Sequence, residues 1–339
     1  MPSRDFLRQL PGAESHFSRR IGFFNAIHLD LWLLLLLVAL MAFGLFILYS
    51  GSGQNPETVE RQALHFLVAT FLMALLAQVD PTVLRRWTPW IYLLGLVGLV
   101  AVLVMGSDAK GAQRWLQIPG LGIRIQPSEF MKVAVPMMVA RYLSDRILPP
   151  RFLHIVVVAL IVLLPAALIV KQPDLGTALL VSAAGVFVLL FSGLSWAWIG
   201  SCAAVVVMLA PALWYFVMHD YQKQRVLTLL DPTQDPLGTG WNIIQSKTAI
   251  GSGGLYGKGW LDGTQSQLDF LPESHTDFII AVLAEELGFL GVVALLVLYL
   301  LIVYRGLVMA AQAPDTFSRV LGAALVMTFF IYVFVNMGM

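Results

Sequence analysis

Residues 250–304 read IGSGGLYGKGWLDGTQSQLDFLPESHTDFIIAVLAEELGFLGVVALLVLYLLIVY. A glycine-rich polar segment ends at Asp277 and passes directly into an apolar run that carries only two more acids, Glu285 and Glu286. A run of that length exceeds the roughly 20 apolar residues needed to cross about 30 Å of hydrocarbon. It predicts a membrane-spanning helix with polar chemistry gathered at its mouth, where ionisable groups are expensive and tend to have a use.

The rest of the chain agrees. Of 339 residues, 58% are hydrophobic and 12% charged, and the mean hydropathy is +0.80. Too little polar surface is available to cover a soluble domain of this size, so the solvent is lipid. Net charge is +1 with no basic stripe, which excludes a nucleic-acid partner. The single Cys202 rules out an internal disulfide, and no His/Cys cluster has zinc-ligand spacing.

Apolar runs predict nine spanning helices near 31–49, 62–79, 89–105, 127–143, 152–170, 177–194, 196–218, 277–304 and 317–337. The fold class is thus an all-α polytopic membrane protein, a single membrane domain over 1–339. The fourth run is the least apolar, because Glu129 and Lys132 lie within it. The first 30 residues form a basic tail, and the run after them is too long for a signal-peptide core, so it reads as an uncleaved anchor.

Lys and Arg in the short loops set the orientation. With the N-terminus inside, the inner segments hold eleven (Arg4, Arg8, Arg19, Arg20, Arg85, Arg86, Arg141, Arg146, Arg151, Arg305, Arg319). The outer short loops hold five (Arg61, Lys110, Arg114, Arg124, Lys171). This places Asp174 and the large hydrophilic loop 219–276, between helices seven and eight, outside. Within it, Tyr221, Val226, Leu229 and Leu230 predict one short surface helix, and Trp241, Ile244 and Thr248 a second. Asp231-Pro232 and Asp235-Pro236 read as turns.

The polar residues near the outer ends each carry two readings. Asp277, opening the eighth helix, either caps it or acts as a general base in a partly desolvated site; the two are compatible. Glu285 and Glu286 lie roughly 12–13 Å deeper. They point in different directions and read as structural acids paired with a cation or another helix. Glu129 and Lys132, three apart, share a helix face as an ion pair, or as a carboxylate holding a phosphate-binding cation. Asp174 either caps the sixth helix or joins the same outer site as Arg124. The glycines Gly251, Gly253, Gly254, Gly257 and Gly259 do not form a nucleotide loop, since Ser252 and Gly259 break the pattern. They read instead as places of close backbone approach.

Several separate motifs resemble the SEDS family (shape, elongation, division, sporulation). They are Gln126-Pro127-Ser128-Glu129, Lys171-Gln172-Pro173-Asp174-Leu175-Gly176-Thr177, and the block from Gly251 through Leu271-Pro272-Glu273-Ser274-His275-Thr276-Asp277-Phe278 to Ala284-Glu285-Glu286-Leu287-Gly288. Gly263-Thr264-Gln265-Ser266-Gln267-Leu268 and Gly111-Ala112-Gln113-Arg114-Trp115-Leu116 are similar to the rod-shape branch, RodA.

The resemblance implies a multi-pass enzyme of the bacterial inner membrane that polymerises lipid II into β-1,4 glycan during elongation. It works beside a class B penicillin-binding protein that supplies the transpeptidase. The family's essential acid falls on Asp277, and its other polar cavity residues on Arg124, Glu129, Lys132 and Asp174. The family has ten helices, so further residues are expected past Met339. No cofactor is implied; a divalent cation at the diphosphate is compatible with the chemistry, but no ligand set stands out. The main alternative is a flippase for lipid-linked precursors, whose path the same polar residues could line. A scaffold for an envelope partner is a third reading, and it leaves Glu129 and Lys132 without a purpose.

Overall fold

The computed structural model describes residues 28–109, 112–117, 124–218, 220–234, 236, 240–267 and 275–338. The basic tail with Arg4, Arg8, Arg19 and Arg20, and also Lys110, Asp235 and residues 271–274, lie outside these. Among the described residues the helices are α1 Leu31–Gly51, α2 Pro56–Ala77, α3 Pro81–Met105, α4 Pro127–Ser144, α5 Phe152–Lys171, α6 Leu175–Phe191, α7 Trp196–Ala212, α8 Asp220–Leu230, α9 Trp241–Gly253, α10 Thr264–Gln267, α11 Ile279–Ala311 and α12 Thr316–Gly338. All nine predicted runs fall on helices. Six of these (α1, α2, α3, α5, α11, α12) are both long and apolar enough to cross a membrane. Both short helices expected in the hydrophilic loop are present, as α8 and α9.

One element was not foreseen: a small antiparallel sheet, β1 Ser107–Ala109, β2 Ala112–Gln117 and β3 Arg124–Ile125, in that order. Gln117 pairs with Arg124 and Leu116 with Ile125. The strands are two to six residues long, too short to give a strand period in an apolar sequence.

Local chemistry starts the helices. Asp30, Asn55, Asp80 and Asp174 each accept a hydrogen bond from a backbone N–H in the first turn of α1, α2, α3 and α6. Pro56, Pro81 and Pro127 occupy first-turn positions, where the missing N–H costs nothing. The fourth helix, weakest in the sequence, proves to be the centre of the core. Met131, Ala134, Val135, Val139, Ala140 and Leu143 are fully buried among α3, α5, α6 and α12. Its low apolarity follows, because protein rather than lipid surrounds it. By contrast α2 buries no residue and presents Leu64, Leu67 and Phe71 outward.

Small residues set the close contacts. A Cβ on Gly95 would stand 2.2 Å from Met131 Sδ, and one on Gly185 would stand 2.3 Å from Val162 Cγ2. At the end of the bundle opposite Asp174, Arg85 pairs with Asp145, Arg141 donates to the carbonyls of Arg85 and Arg86, and Arg305 Nε donates to Asp30 Oδ1 at 2.9 Å.

α11 is kinked at Gly288, whose φ of +66° leaves the helical region. The glycine-rich loop fills this break: Phe289 N donates to Gly254 O and Leu290 N to Leu255 O, while Lys258 N and Gly259 N donate to the carbonyls of Glu285 and Glu286. A Cβ on Gly257 would lie 2.0 Å from Glu286 O, and one on Gly288 would lie 2.3 Å from Gly257 N. The close-approach reading is thus borne out at Gly257, and Gly288 across from it shares the constraint.

Candidate active site

Asp277 occupies a turn two residues before α11, not the first turn of the helix as its sequence position suggested. The N-cap position falls on Phe278, with no side-chain cap bond, so the capping reading of Asp277 has no contact behind it. Asp277 is exposed and lines two cavities. The larger, of about 450 Å³, is walled by apolar residues of α1, α2, α11 and α12, among them Phe43, Phe66, Leu283, Phe329 and Tyr332. The smaller, of about 210 Å³, is lined by Ser246 and Lys247 of α9 and Asn336 of α12 as well as Asp277. The acid therefore stands where an apolar chamber meets a more polar one.

Lys132 lies on the buried face of α4, only 7% exposed, with Nζ donating to Glu129 Oε1 at 2.6 Å. The expected i,i+3 pair is present. Nζ also sits 4.3 Å from the ring centroid of Tyr332 on α12. An ammonium this far from water needs such partners, and an aromatic face supplies part of the lost solvation. Tyr332 was missed in the sequence reading, since nothing local links it to Lys132. It links Lys132 to the larger cavity, which the same ring lines with Asp277.

Asp174 caps α6 through Thr177 N at 3.2 Å and Thr177 Oγ1 at 2.9 Å. It also accepts from Gln126 Nε2 at 3.4 Å and faces Arg114 Nε at 3.8 Å. Arg114 is tied in by a 2.7 Å bond to Pro173 O. Asp174 thus has its capping role and a polar network that brings β2, the start of α4 and the α5–α6 turn together. Arg124, expected in the outer loop before helix four, lies there on β3, where it is exposed, and no described contact joins it to Lys132 or Asp277. Backbone pairing with Gln117 holds it in the strand rather than in the helix that Pro127 begins.

Glu285 and Glu286 point apart and neither lines the Asp277 cavities. Glu285 is fully buried and accepts from Lys258 Nζ at 2.7 Å, Thr264 Oγ1 at 3.1 Å and Gln265 N at 2.9 Å. Glu286, equally buried, accepts from Ser50 Oγ on α1. Trp260 stacks on Phe46 of α1 at 4.7 Å. The structural reading of both acids holds: Glu285 fastens the glycine loop at the kink, and Glu286 ties α11 to α1. Among the described residues no group of three or more His, Cys, Asp or Glu side chains is placed to hold a metal ion.

The family described as cell cycle proteins, embracing FtsW, RodA and SpoVE, matches residues 30–339. The chain is 50% identical over 317 residues to the peptidoglycan glycosyltransferase MrdB of Escherichia coli K12, covering 94% of this chain and 85% of that protein. It is 37% identical to a probable peptidoglycan glycosyltransferase FtsW of Trichlorobacter lovleyi, covering 93% and 84%. A solved chain, described under the structural coordination of polymerization and crosslinking by a peptidoglycan synthase complex, superposes with a TM-score of 0.78 at 32% identity, covering 91% of this chain and 86% of that one. The rod shape determining protein RodA of Thermus thermophilus superposes with a TM-score of 0.66 at 28% identity, covering 91% and 84%.

Proposed function

The chain belongs to the FtsW, RodA and SpoVE family, and from that premise we propose that it is a peptidoglycan glycosyltransferase of the elongation type, with Asp277 as general base. It polymerises lipid II into β-1,4 glycan at the outer face of the bacterial inner membrane. A class B penicillin-binding protein works beside it, in keeping with the synthase complex whose chain it resembles. The excess of Lys and Arg in the inner loops supports a cytoplasmic N-terminal tail (1–30) and a periplasmic 219–276 segment on one membrane domain.

One observation carries the reading: Asp277 stands where a strongly apolar cavity meets a smaller one that also holds Ser246 and the cation Lys247. A polyprenyl diphosphate sugar has this same division, an apolar tail and a charged, hydroxylated head. The acceptor hydroxyl attacks the anomeric carbon of the donor, and its proton passes to the Asp277 carboxylate. The bond from that carbon to the diphosphate oxygen breaks as the new bond forms, and the diphosphate leaves with the electron pair. A single displacement at an α-linked donor leaves a β linkage. Lys132, oriented by Glu129 and Tyr332, meets the developing negative charge. Arg124 draws the anionic headgroup toward the site, and Asp174 holds the surrounding turn in place.

Purified protein with its penicillin-binding partner, supplied with lipid II, is expected to yield glycan chains. Protein that makes no polymer but moves labelled lipid II across vesicle bilayers would instead support the flippase reading.

A further inference from the structure

Resting on that reading, we propose that Lys247 is a second diphosphate-binding residue, serving the other of the two lipid-linked substrates. Each turnover joins two polyprenyl diphosphate saccharides. One loses its diphosphate to the new bond and the other keeps it. Two diphosphates must therefore lie near one base, and Lys132 meets only one of them, while Arg124, which lines neither cavity, gathers the headgroup from outside.

The fold places Lys247 to meet the second. Ser246, Ala249 and Gly253 are the buried face of α9. A Cβ on Gly253 would stand 1.9 Å from Ala284 O, so glycine lets α9 lie directly against the first half of α11. That seam turns a neighbouring face of α9 toward Asp277. Ile243, Lys247 and Ile250, spaced i, i+4 and i+7, all line the smaller cavity with Asp277 and Asn336. Lys132 does not line it; its link to Asp277 runs through Tyr332 and the larger cavity. Asp277 alone among the described charged residues lines both chambers, with Lys247 in one and Lys132 behind the wall of the other. The exposed ammonium of Lys247 keeps its N–H donors accessible to a phosphate.

The test counts diphosphates. Full-length protein in detergent is titrated with undecaprenyl diphosphate and separately with undecaprenol, which lacks the charge. Wild type is expected to bind two equivalents of the diphosphate. Lys247→Met and Lys247→Gln are each expected to bind one tightly, with affinity for the other lowered about ten- to hundredfold, the range for one charge-assisted contact. Lys247→Arg restores two, and undecaprenol binding is the same in all. Polymerisation falls at least about tenfold in the Met and Gln variants and recovers in the Arg variant. Two tight diphosphates in either neutral variant, or polymerisation at the wild-type rate, would overturn the proposal. So would a wild type that polymerises while binding one equivalent, or an equal loss of undecaprenol. Wild-type protein that makes no glycan overturns the functional reading beneath it instead.

Discussion

Lys132 Nζ lies 4.3 Å from the centroid of the Tyr332 ring, and Tyr332 lines the cavity that holds Asp277. This contact ties α4 to α12 and brings a cation up to the wall of that cavity. If the ring positions the ammonium, Tyr332→Phe retains the aromatic face and turnover stays within about twofold. Tyr332→Leu removes it and raises the KM for lipid II about tenfold, the effect of a desolvated cation–π contact. In a Lys132→Met background the Leu substitution should add almost nothing, which steady-state polymerisation assays on the four proteins would reveal.

The glycine loop makes a second prediction. Gly288→Ala forces a side chain into a φ of +66° and to within 2.3 Å of Gly257 N, so both strain and overlap oppose it. Loss of several °C in melting temperature, or failure to accumulate in the membrane, is expected. Gly251, inside α9, has nothing within 4 Å of the added carbon and no positive φ. Gly251→Ala should be neutral or stabilising by about 0.5–1 kcal/mol. Thermal unfolding in one detergent compares the two.

Glu285 is fully buried against Lys258, Thr264 and the Gln265 N–H. Removing one partner of a buried pair leaves an uncompensated charge and costs about 3–5 kcal/mol. Lys258→Met alone should therefore destabilise strongly, and Lys258→Met with Glu285→Gln less than the single variant. A double-mutant cycle in thermal or denaturant unfolding measures the difference.

Asp30 lies just before α1, and its hydrogen bond from Arg305 holds its carboxyl below the ordinary value despite partial burial. A depressed carboxylate contributes stability that is fully present above its unfolded pKa and is lost as pH falls through the folded one. Wild type should therefore lose stability from about pH 4 downward. Asp30→Asn should flatten that part of the profile while leaving the span above pH 5 parallel to wild type.

Much of this arrangement was legible in the sequence where the physics is local. Each apolar run falls on a helix among the described residues, six of them long and apolar enough to span, and the i,i+3 spacing of Glu129 and Lys132 foretold their pair. Helical geometry separated the directions of Glu285 and Glu286, which now reach Lys258 and Ser50. The close-approach reading of the glycines anticipated the loop in the α11 kink, though not the partner, since Gly288 looks like any helix glycine until its neighbour is known.

What escaped the sequence depends on contacts between distant segments. The Lys132–Tyr332 contact has no periodicity to betray it. Arg124 was read as part of an outer short loop, because the two-residue strand it occupies is too short to show a pattern. The second short helix was marked by Trp241, Ile244 and Thr248, but the face it buries is Ser246, Ala249 and Gly253, and Thr248 is exposed. Small residues are weak markers of burial in a sequence, yet they permit the closest helix contacts.

The central claim is that the Asp277 carboxylate takes the proton of the acceptor hydroxyl. Asp277→Asn keeps the shape and removes the base. The direct measurement is lipid II polymerisation by the purified complex, beside undecaprenyl diphosphate binding by the same samples. The account predicts a fall of about two to four orders of magnitude in polymerisation with binding preserved; an Asn variant that polymerises at the wild-type rate would contradict it.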